Sequence, residues 1–303
     1  LQISGGEPTV REDLEQIIAH AAKQGFSLVQ LNTNGLRFAL EAGYAQRLRK
    51  AGLQSVFLQF DALHDAAYKK LRGKALLEQK IKALEVLVQA GLGVVLVPTL
   101  IPEVNTSDIG ALIRLGLDYY PTVRGVHFQP VSYFGRYPLP PADKDRMTLP
   151  EIMRALEEQT KGLVKVQDCL PPGCEHALCS FHATYMVTKD KGLQSLGPGC
   201  LCSSEPVQAA EGAKQSVALT ASRWKMPDNK QHTLTDEPDD LDRFIARARN
   251  QTFTVSAMAF QDVWNLDLER LRGCCIHVLD HKGRLVPFCA YNLTSAQGQP
   301  LYR

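Results

Sequence analysis

The first half of the chain alternates short apolar runs with longer stretches in which apolar residues recur every three or four positions. Short apolar runs are typical of buried strands, and the three-to-four spacing predicts helices with one apolar face. We predict that the chain begins inside a strand that ends at Ile3, and that further strands lie at 27–31, 55–60, 93–98 and 125–129. The predicted helices lie at 12–23, 39–51, 76–90, 107–117 and 149–160.

The predicted helix boundaries rest on residues that begin or end helices. Ser107 and Thr148 can each cap the first turn of a helix with a side-chain oxygen. Pro150 then falls in a first turn, where a missing N–H costs little. Gly25, Gly52 and Gly91 end three of the predicted helices.

Strands that alternate with helices predict an α/β fold with a parallel sheet and right-handed crossovers, either open or closed into a barrel. Polar residues follow one predicted strand after another, and in such folds the carboxyl edge of the sheet carries the active site. An alternative is that these residues only mark where the chain reaches the surface, as in an Asn-Gly turn. The polar residues at the strand ends are Gly5, Gly6, Glu7, Thr33, Asn34, Gln59, Asp61, Thr99 and Gln129.

The pattern changes near residue 165, so we predict two domains, at 1–165 and 166–303. The second domain is predicted to be α+β. It has one hairpin formed by 183–187 and 193–196 and another formed by 276–278 and 285–288. The stretch 204–240 is predicted to be a polar surface segment. Helices are predicted at 241–249 and 260–272.

Composition narrows the class of protein. Of the 303 residues, 45% are hydrophobic and 22% are charged, which is typical of a globular protein. The net charge of +2 gives no reason to expect nucleic acid as a partner. No apolar run approaches the roughly 20 residues that a membrane-spanning helix needs.

All eight cysteines lie in the second half of the chain. A disulfide scaffold would be small and would spread its cysteines through the fold, so the clustering indicates metal or iron–sulfur ligation in a reducing cytoplasm. Disulfides and inert buried thiols are the alternatives. Because hairpins bring distant ends together, Cys174, Cys179, Cys275 and Cys289 can form one thiolate set, and Cys169, Cys200, Cys202 and Cys274 a second. Thiolates suit zinc and iron–sulfur clusters equally.

The segment Gly5–Thr9 resembles the S-adenosylmethionine-binding turn of radical SAM enzymes. More specific stretches are similar to the class D radical SAM methyltransferases and tetraether lipid synthases, and most of all to radical SAM (seleno)proteins of the TrsS type. These stretches are Phe57–Asp61, Tyr68–Gly73, Phe128–Val131 with Gly135 and Arg136, Gly273–His277 and Val286–Asn292.

The resemblance implies a partial (β/α)6 TIM-like barrel that lacks its first strand, followed by the cysteine-rich domain. The family's CxxxCxxC motif, which binds the catalytic [4Fe-4S] cluster, does not occur in these 303 residues. We therefore expect an N-terminal truncation and an inactive fragment, with a degenerate homologue as the alternative.

The resemblance also assigns roles to residues. Gly5 and Gly6 would let backbone approach the cofactor, and Glu7 would pair with its ammonium group. Thr33 and Asn34, together with either Gln59 or Asp61, would bind polar groups of the cofactor, and Gln129 would border the adenine. In the cysteine-rich domain the family context favours an auxiliary [4Fe-4S] cluster over zinc.

The expected function is hydrogen abstraction by a 5′-deoxyadenosyl radical, leading to methylation or C–C bond formation on an unactivated carbon. The substrate would be a small molecule or a lipid, and the electron donor flavodoxin or ferredoxin. The rival functions are a metal-binding or electron-transfer protein without SAM chemistry and a radical SAM peptide maturase.

Overall fold

The computed structural model describes residues 1–134, 139–197, 209–227, 240, 246–248, 250–295 and 297–302. Its strands are β1 Gln2–Ile3, β2 Gln30–Thr33, β3 Ser55–Gln59, β4 Gly93–Val97, β5 Thr99–Leu100, β6 Val123–Pro130, β7 Ser180–Val187, β8 Leu193–Ser195, β9 Thr252–Met258, β10 His277–Leu279 and β11 Leu285–Pro287. Its longer helices are α1 Leu14–Lys23, α2 Leu36–Leu40, α3 Tyr44–Ala51, α4 Asp65–Arg72, α5 Leu77–Ala90, α6 Ile109–Asp118, α7 Leu149–Gln159 and α8 Ala209–Trp224. Two short helices, Leu268–Arg272 and Phe288–Tyr291, follow β9.

A single nine-stranded sheet organises the described residues, in the order β1-β2-β3-β4-β6-β9-β7-β8, with β5 paired to β6. Strands β1 to β4, β6 and β9 are parallel, whereas β7 and β8 are antiparallel to their neighbours. The predicted α/β class with a parallel sheet is therefore confirmed. The sheet includes strands from both sides of residue 165, and the division into domains at that residue stays a prediction.

The main hydrophobic core lies on the outer face of the sheet, where α1, α3, α5, α6 and α7 cover it. Leu48, Leu84 and Ile113 of these helices pack with Leu96 and Val126 of the strands. The helices form there because each has an apolar face that the parallel strands, apolar on both faces, can bury.

The inner face of the sheet is covered differently. Phe57, Val95 and Val97 form a smaller cluster on this face, against which Trp224 of α8 packs. A cavity on the inner face is lined by Leu28, next to β2, and by His182 and Ser256 of β7 and β9. Because β2 and β7 lie toward opposite ends of the strand order, the sheet must curve to bring their flanks together.

The structure differs from several of the predicted helix boundaries. The helix predicted at 39–51 is two helices, α2 and α3, because Gly43 has a left-handed φ of 75° between them. Ser107 lies in a 3-10 turn, and Asp108 is the residue that precedes α6. The stretch predicted as polar surface contains the 16-residue helix α8. Only Leu268–Arg272 of the predicted helix 260–272 is helical.

Other local predictions were confirmed. Thr148 and Glu151 form a reciprocal capping box at the start of α7, and Pro150 lies in its first turn. Both predicted hairpins are present as β7–β8 and β10–β11. The predicted helix 241–249 lies mainly outside the described residues, as do Gly135 and Arg136.

Candidate functional site

Glu7 connects the carboxyl ends of β1 and β2. Its Oε1 accepts hydrogen bonds from the Thr9 amide at 3.1 Å, the Thr9 hydroxyl at 2.6 Å and the Thr33 hydroxyl at 2.7 Å. Its Oε2 accepts one from the Asn34 amide at 2.7 Å. The structure thus brings together three of the predicted cofactor-binding residues, and the carboxylate holds the two turns in one arrangement. Direct pairing of Glu7 with an ammonium group stays a prediction.

Gly5 and Gly6 leave the main chain of the first turn bare. Their φ angles are 101° and 53°, in the left-handed region that favours glycine, and a Cβ added to either residue would meet nothing within 4 Å. Both residues are exposed. A ligand can therefore approach the peptide groups of this turn closely.

Asp61 is held by protein donors at this edge, and its predicted binding of the cofactor stays a prediction. It is fully buried and accepts two hydrogen bonds from the Arg72 guanidinium, at 2.9 Å and 3.0 Å, and one from the Thr99 amide at 3.0 Å. The Asp61 carbonyl also accepts from Asn105, which donates in addition to the Thr99 carbonyl. Asp61 thus fastens β3 to the β4–β5 connection, and its carboxylate is already occupied by protein donors.

Arg72 is the side chain at this edge that sequence reasoning missed. It is partly exposed, and when the Gln59 amide oxygen is turned toward it the guanidinium donates to that oxygen at 2.7 Å. Arg72 also donates to the Thr99 hydroxyl at 3.3 Å. The only sequence signal was its place within Tyr68–Gly73. Gln129 is half-buried near the end of β6. Its main-chain N–H donates to the Pro98 carbonyl.

Two of the predicted metal-ligating thiols are in contact. The Sγ atoms of Cys174 and Cys275 lie 3.1 Å apart, and Glu175 Oε2 lies 3.1 Å from Cys174 Sγ. Their hydrogen bond raises the pKa of Cys174 and lowers that of Cys275. Among the described residues this trio alone has three ligand atoms within 4.8 Å of one another. Since the thiolate is the metal-binding form, the pair can contribute ligands to a metal or a cluster.

Cys179, Cys274 and Cys289 form a second neighbourhood. Burial raises the pKa of Cys289, and the nearby thiols of Cys274 and Cys179 raise it further. The Arg270 guanidinium lies 3.4 Å from Cys179 Sγ. Cys274 interacts electrostatically with Cys275 as well as with Cys179. The two neighbourhoods therefore adjoin, and the division of the thiols into two ligand sets stays a prediction.

Cys169 is in contact with neither group. Its Sγ faces the Lys165 carbonyl at 3.7 Å, and burial raises the pKa of this thiol to about 12. The predicted grouping of Cys169 with Cys274 is not seen. Cys200 and Cys202 lie outside the described residues.

Comparison with known proteins identifies the family. Residues 1–116 match the Radical SAM superfamily. A Methanocaldococcus jannaschii protein described as 7,8-dihydro-6-hydroxymethylpterin dimethyltransferase is 31% identical over 340 residues, covering 98% of this chain and 67% of that protein. The chain belongs to the radical SAM superfamily.

Other similar proteins match over smaller shares of this radical SAM chain. A Methanococcus maripaludis protein described as a probable GTP 3′,8-cyclase is 33% identical over 113 residues, which is 37% of each chain. A domain of a pyruvate-formate lyase-activating enzyme from Bacteroides vulgatus has a TM-score of 0.43 at 14% identity, covering 55% of this chain and 95% of that one. The chain thus spans about two thirds of the dimethyltransferase and much less of the cyclase. Among the described residues, no helix has the length and apolar character that crossing a membrane requires.

Lys80 is a second residue that sequence reasoning missed in this radical SAM chain. It is 1% exposed on α5, and its ammonium group donates to the carbonyl oxygens of Asn34 at 2.5 Å and Gln59 at 2.8 Å. It thereby connects the carboxyl ends of β2 and β3. Burial lowers its pKa to about 8, although the nearby Asp61 and Glu7 favour the charged form. A lysine in the middle of an amphipathic helix carries no signal that it will be buried.

We expect Lys80 to give stability a distinctive pH dependence. Between about pH 8 and pH 10 the unfolded chain keeps the proton that folded Lys80 has lost, so rising pH favours the folded state. The slope is at most about 1.4 kcal/mol per pH unit. We expect urea denaturation at several pH values to show that the free energy of unfolding of wild type rises relative to that of Lys80→Met across this range. The exposed Lys50→Met is the control, and an equal pH dependence for Lys80→Met and wild type would contradict the assignment.

Proposed function

We propose that this chain is part of a radical SAM methyltransferase that forms a C–C bond on an unactivated carbon of a small molecule. The observation that carries the proposal is the 31% identity to a dimethyltransferase over 98% of the chain. The Methanococcus maripaludis cyclase, by contrast, matches over 37% of the chain. A peptide maturase has no comparable support.

Gly5, Gly6, Thr33 and Asn34 would hold S-adenosylmethionine in this proposal. The fit rests on the bare, left-handed glycine turn and on the Glu7 carboxylate that locks it against Thr33 and Asn34. With a reduced [4Fe-4S] cluster, this cofactor supplies a carbon radical able to abstract hydrogen. The protein's own part is to orient the cofactor through main-chain groups and to exclude water from the reacting carbon.

An auxiliary [4Fe-4S] cluster is proposed for the cysteine-rich part. Cys174 and Cys275 would supply two ligands, with Cys179, Cys274 and Cys289 as the candidates for the others. Soft, partly buried thiols fit such a cluster, and the neighbouring Arg270 would offset the negative charge of thiolates near Cys179. Flavodoxin or ferredoxin remains the proposed electron donor, and the cytoplasm the proposed location.

The test uses the intact protein, purified and reconstituted without oxygen. With dithionite, S-adenosylmethionine and a methylene donor, we expect cofactor consumption and addition of a methyl group to 7,8-dihydro-6-hydroxymethylpterin or a related small molecule, read by mass spectrometry. Failure to consume the cofactor would overturn the proposed function. Cofactor consumption without a methylated product from any offered substrate would overturn the methyltransferase assignment.

Metal analysis tests the auxiliary cluster separately. The double variant Cys174→Ser/Cys275→Ser should lose about four iron and four sulfide per chain relative to wild type. Cys169→Ser is the matched control, because its thiol touches neither cysteine group, and it should lose none. One zinc per chain that disappears in the double variant, with no change in sulfide, would assign the site to zinc instead.

A further inference from the structure

A cavity of about 350 Å³ lies against the inner face of the sheet. We call it the inner cavity. Strands β6, β9 and β7 and helix α8 line it, together with residues 172–175 and Cys275, so the two thiols proposed for the auxiliary cluster border the cavity. None of Gly5, Gly6, Glu7, Thr33 or Asn34 lines it, so it is distinct from the residues proposed to hold the cofactor.

Three polar side chains form a row across the strands of this wall. His127 of β6 is in register with Ser256 of β9, and Ser256 is in register with His182 of β7. Residues in register on neighbouring strands point to the same face of a sheet. The three side chains therefore project together into the inner cavity, and His127 Nδ1 lies 2.9 Å from Ser256 Oγ.

Thr254 supplies an independent sign of a missing ligand. It precedes Ser256 by two residues, so it shares the inner face, and it lines the same cavity. The residue is 6% exposed, and its hydroxyl has no hydrogen-bond partner among the described residues. An unpaired buried hydroxyl is costly, and native proteins pair nearly all such groups. A ligand in the inner cavity would provide the partner.

The two charged side chains that line the cavity are hydrogen-bonded to neutral groups of the protein. Glu175 accepts hydrogen bonds from the Ser180 hydroxyl at 2.6 Å and from the Cys174 thiol, and Arg223 donates to the Thr184 hydroxyl at 2.9 Å. Burial lowers the pKa of His127 to about 4 and also lowers that of His182. Both imidazoles are thus neutral near pH 7, and each presents one donor and one acceptor nitrogen.

Aromatic rings complete the wall next to His127. The Trp224 indole lies 6.4 Å from the His127 ring and 4.8 Å from Phe57, measured between centroids. Flat ligands pack well against such rings. A long hydrocarbon chain would leave the Thr254 hydroxyl without a partner. A phosphate would find a single guanidinium that already donates to Thr184.

We propose that the inner cavity is the substrate site and that it selects an uncharged, planar heterocycle carrying both hydrogen-bond donors and acceptors. The hydroxyls of Thr254 and Ser256 and the imidazoles of His127 and His182 are its specificity-determining groups. This inference deepens the proposed methyl transfer and rests on it. It decides between the two substrate classes, small molecule and lipid, in favour of the first.

The test measures binding of 7,8-dihydro-6-hydroxymethylpterin to the intact protein by isothermal titration calorimetry. Thr254→Val keeps the size of the side chain and removes the hydroxyl, and Ser256→Ala removes its neighbour. We expect each to weaken pterin binding about tenfold, since each leaves a ligand atom unpaired. Ser222→Ala, an exposed hydroxyl on α8, is the matched control. Thermal unfolding checks that each variant is folded.

Affinity for S-adenosylmethionine, measured on the same samples, separates the two proposals. Unchanged cofactor affinity with weakened pterin binding supports the inner cavity as the substrate site. Pterin binding that is absent in wild type, or equally tight in wild type and both variants, overturns the inference while cofactor consumption still upholds the proposed function. Methyl transfer to a long-chain alcohol but not to the pterin would also overturn it.

Discussion

Replacing Glu7 with alanine should weaken S-adenosylmethionine binding about 100-fold. The carboxylate accepts four hydrogen bonds from Thr9, Thr33 and Asn34, and they are the contacts that hold the first two strand ends together. Hydrogen bonds to a charged group contribute roughly 1.5–3 kcal/mol each, and a loss of about 2.7 kcal/mol corresponds to that factor in affinity. Equilibrium binding to the intact protein measures the effect.

The control for this variant is Glu12→Ala, a nearby glutamate whose side chain is 88% exposed and which contacts only Arg37, at 3.5 Å. It should bind the cofactor as wild type does. Glu7→Gln keeps one acceptor oxygen and should fall between the two. If Glu7→Ala binds the cofactor with wild-type affinity, the glycine turn is not its binding site.

Replacing Asp61 with alanine should lower the free energy of unfolding by about 3 kcal/mol or more. The carboxylate is fully buried, and without it the Arg72 guanidinium loses its counter-charge and two hydrogen bonds, and the Thr99 amide loses its acceptor. Removing one partner of a buried ion pair is far more damaging than never having had the pair. The midpoint and slope of urea denaturation report the loss.

A second variant shows whether the loss of stability in Asp61→Ala arises from the Arg72 charge that is left without its carboxylate. Asp61→Ala combined with Arg72→Met removes both charges and should recover part of the stability. Asp13→Ala, which breaks the exposed contact with Arg11, is the surface control and should be close to wild type. A double variant no more stable than Asp61→Ala alone would show that Asp61 acts mainly through the Thr99 amide.

The local pattern of the sequence was sufficient for most strands and helices of the first half. Alternating apolar runs and amphipathic stretches arise from burial on both faces of the strands and on one face of the helices, so they are legible without knowing the neighbours. Strand β9 was missed, although it pairs with both β6 and β7 at the centre of the sheet. Its seven residues include three polar ones, because its inner face lines a cavity instead of a core.

Residue chemistry at the strand ends predicted a site there, and the family resemblance named Glu7, Thr33 and Asn34 for it. Which partner each side chain chooses was decided only by the tertiary structure. Asp61 is held by Arg72, eleven residues away, and Lys80 reaches two strand ends at once. Nothing in the local sequence distinguishes Asp61 or Lys80 from an exposed charged residue.

The cysteines show the same division. Their clustering in the second half is a property of the sequence and is enough to predict thiolate ligation. Their grouping depends on how the β7 region and the segment around Cys275 pack, which brings Cys174 and Cys275 together across about 100 positions. The sequence by itself therefore determined the α/β class, the family resemblance and the kinds of ligand atoms. The tertiary structure alone decided which of these atoms meet, because contacts between distant residues depend on packing that leaves no local pattern along the chain.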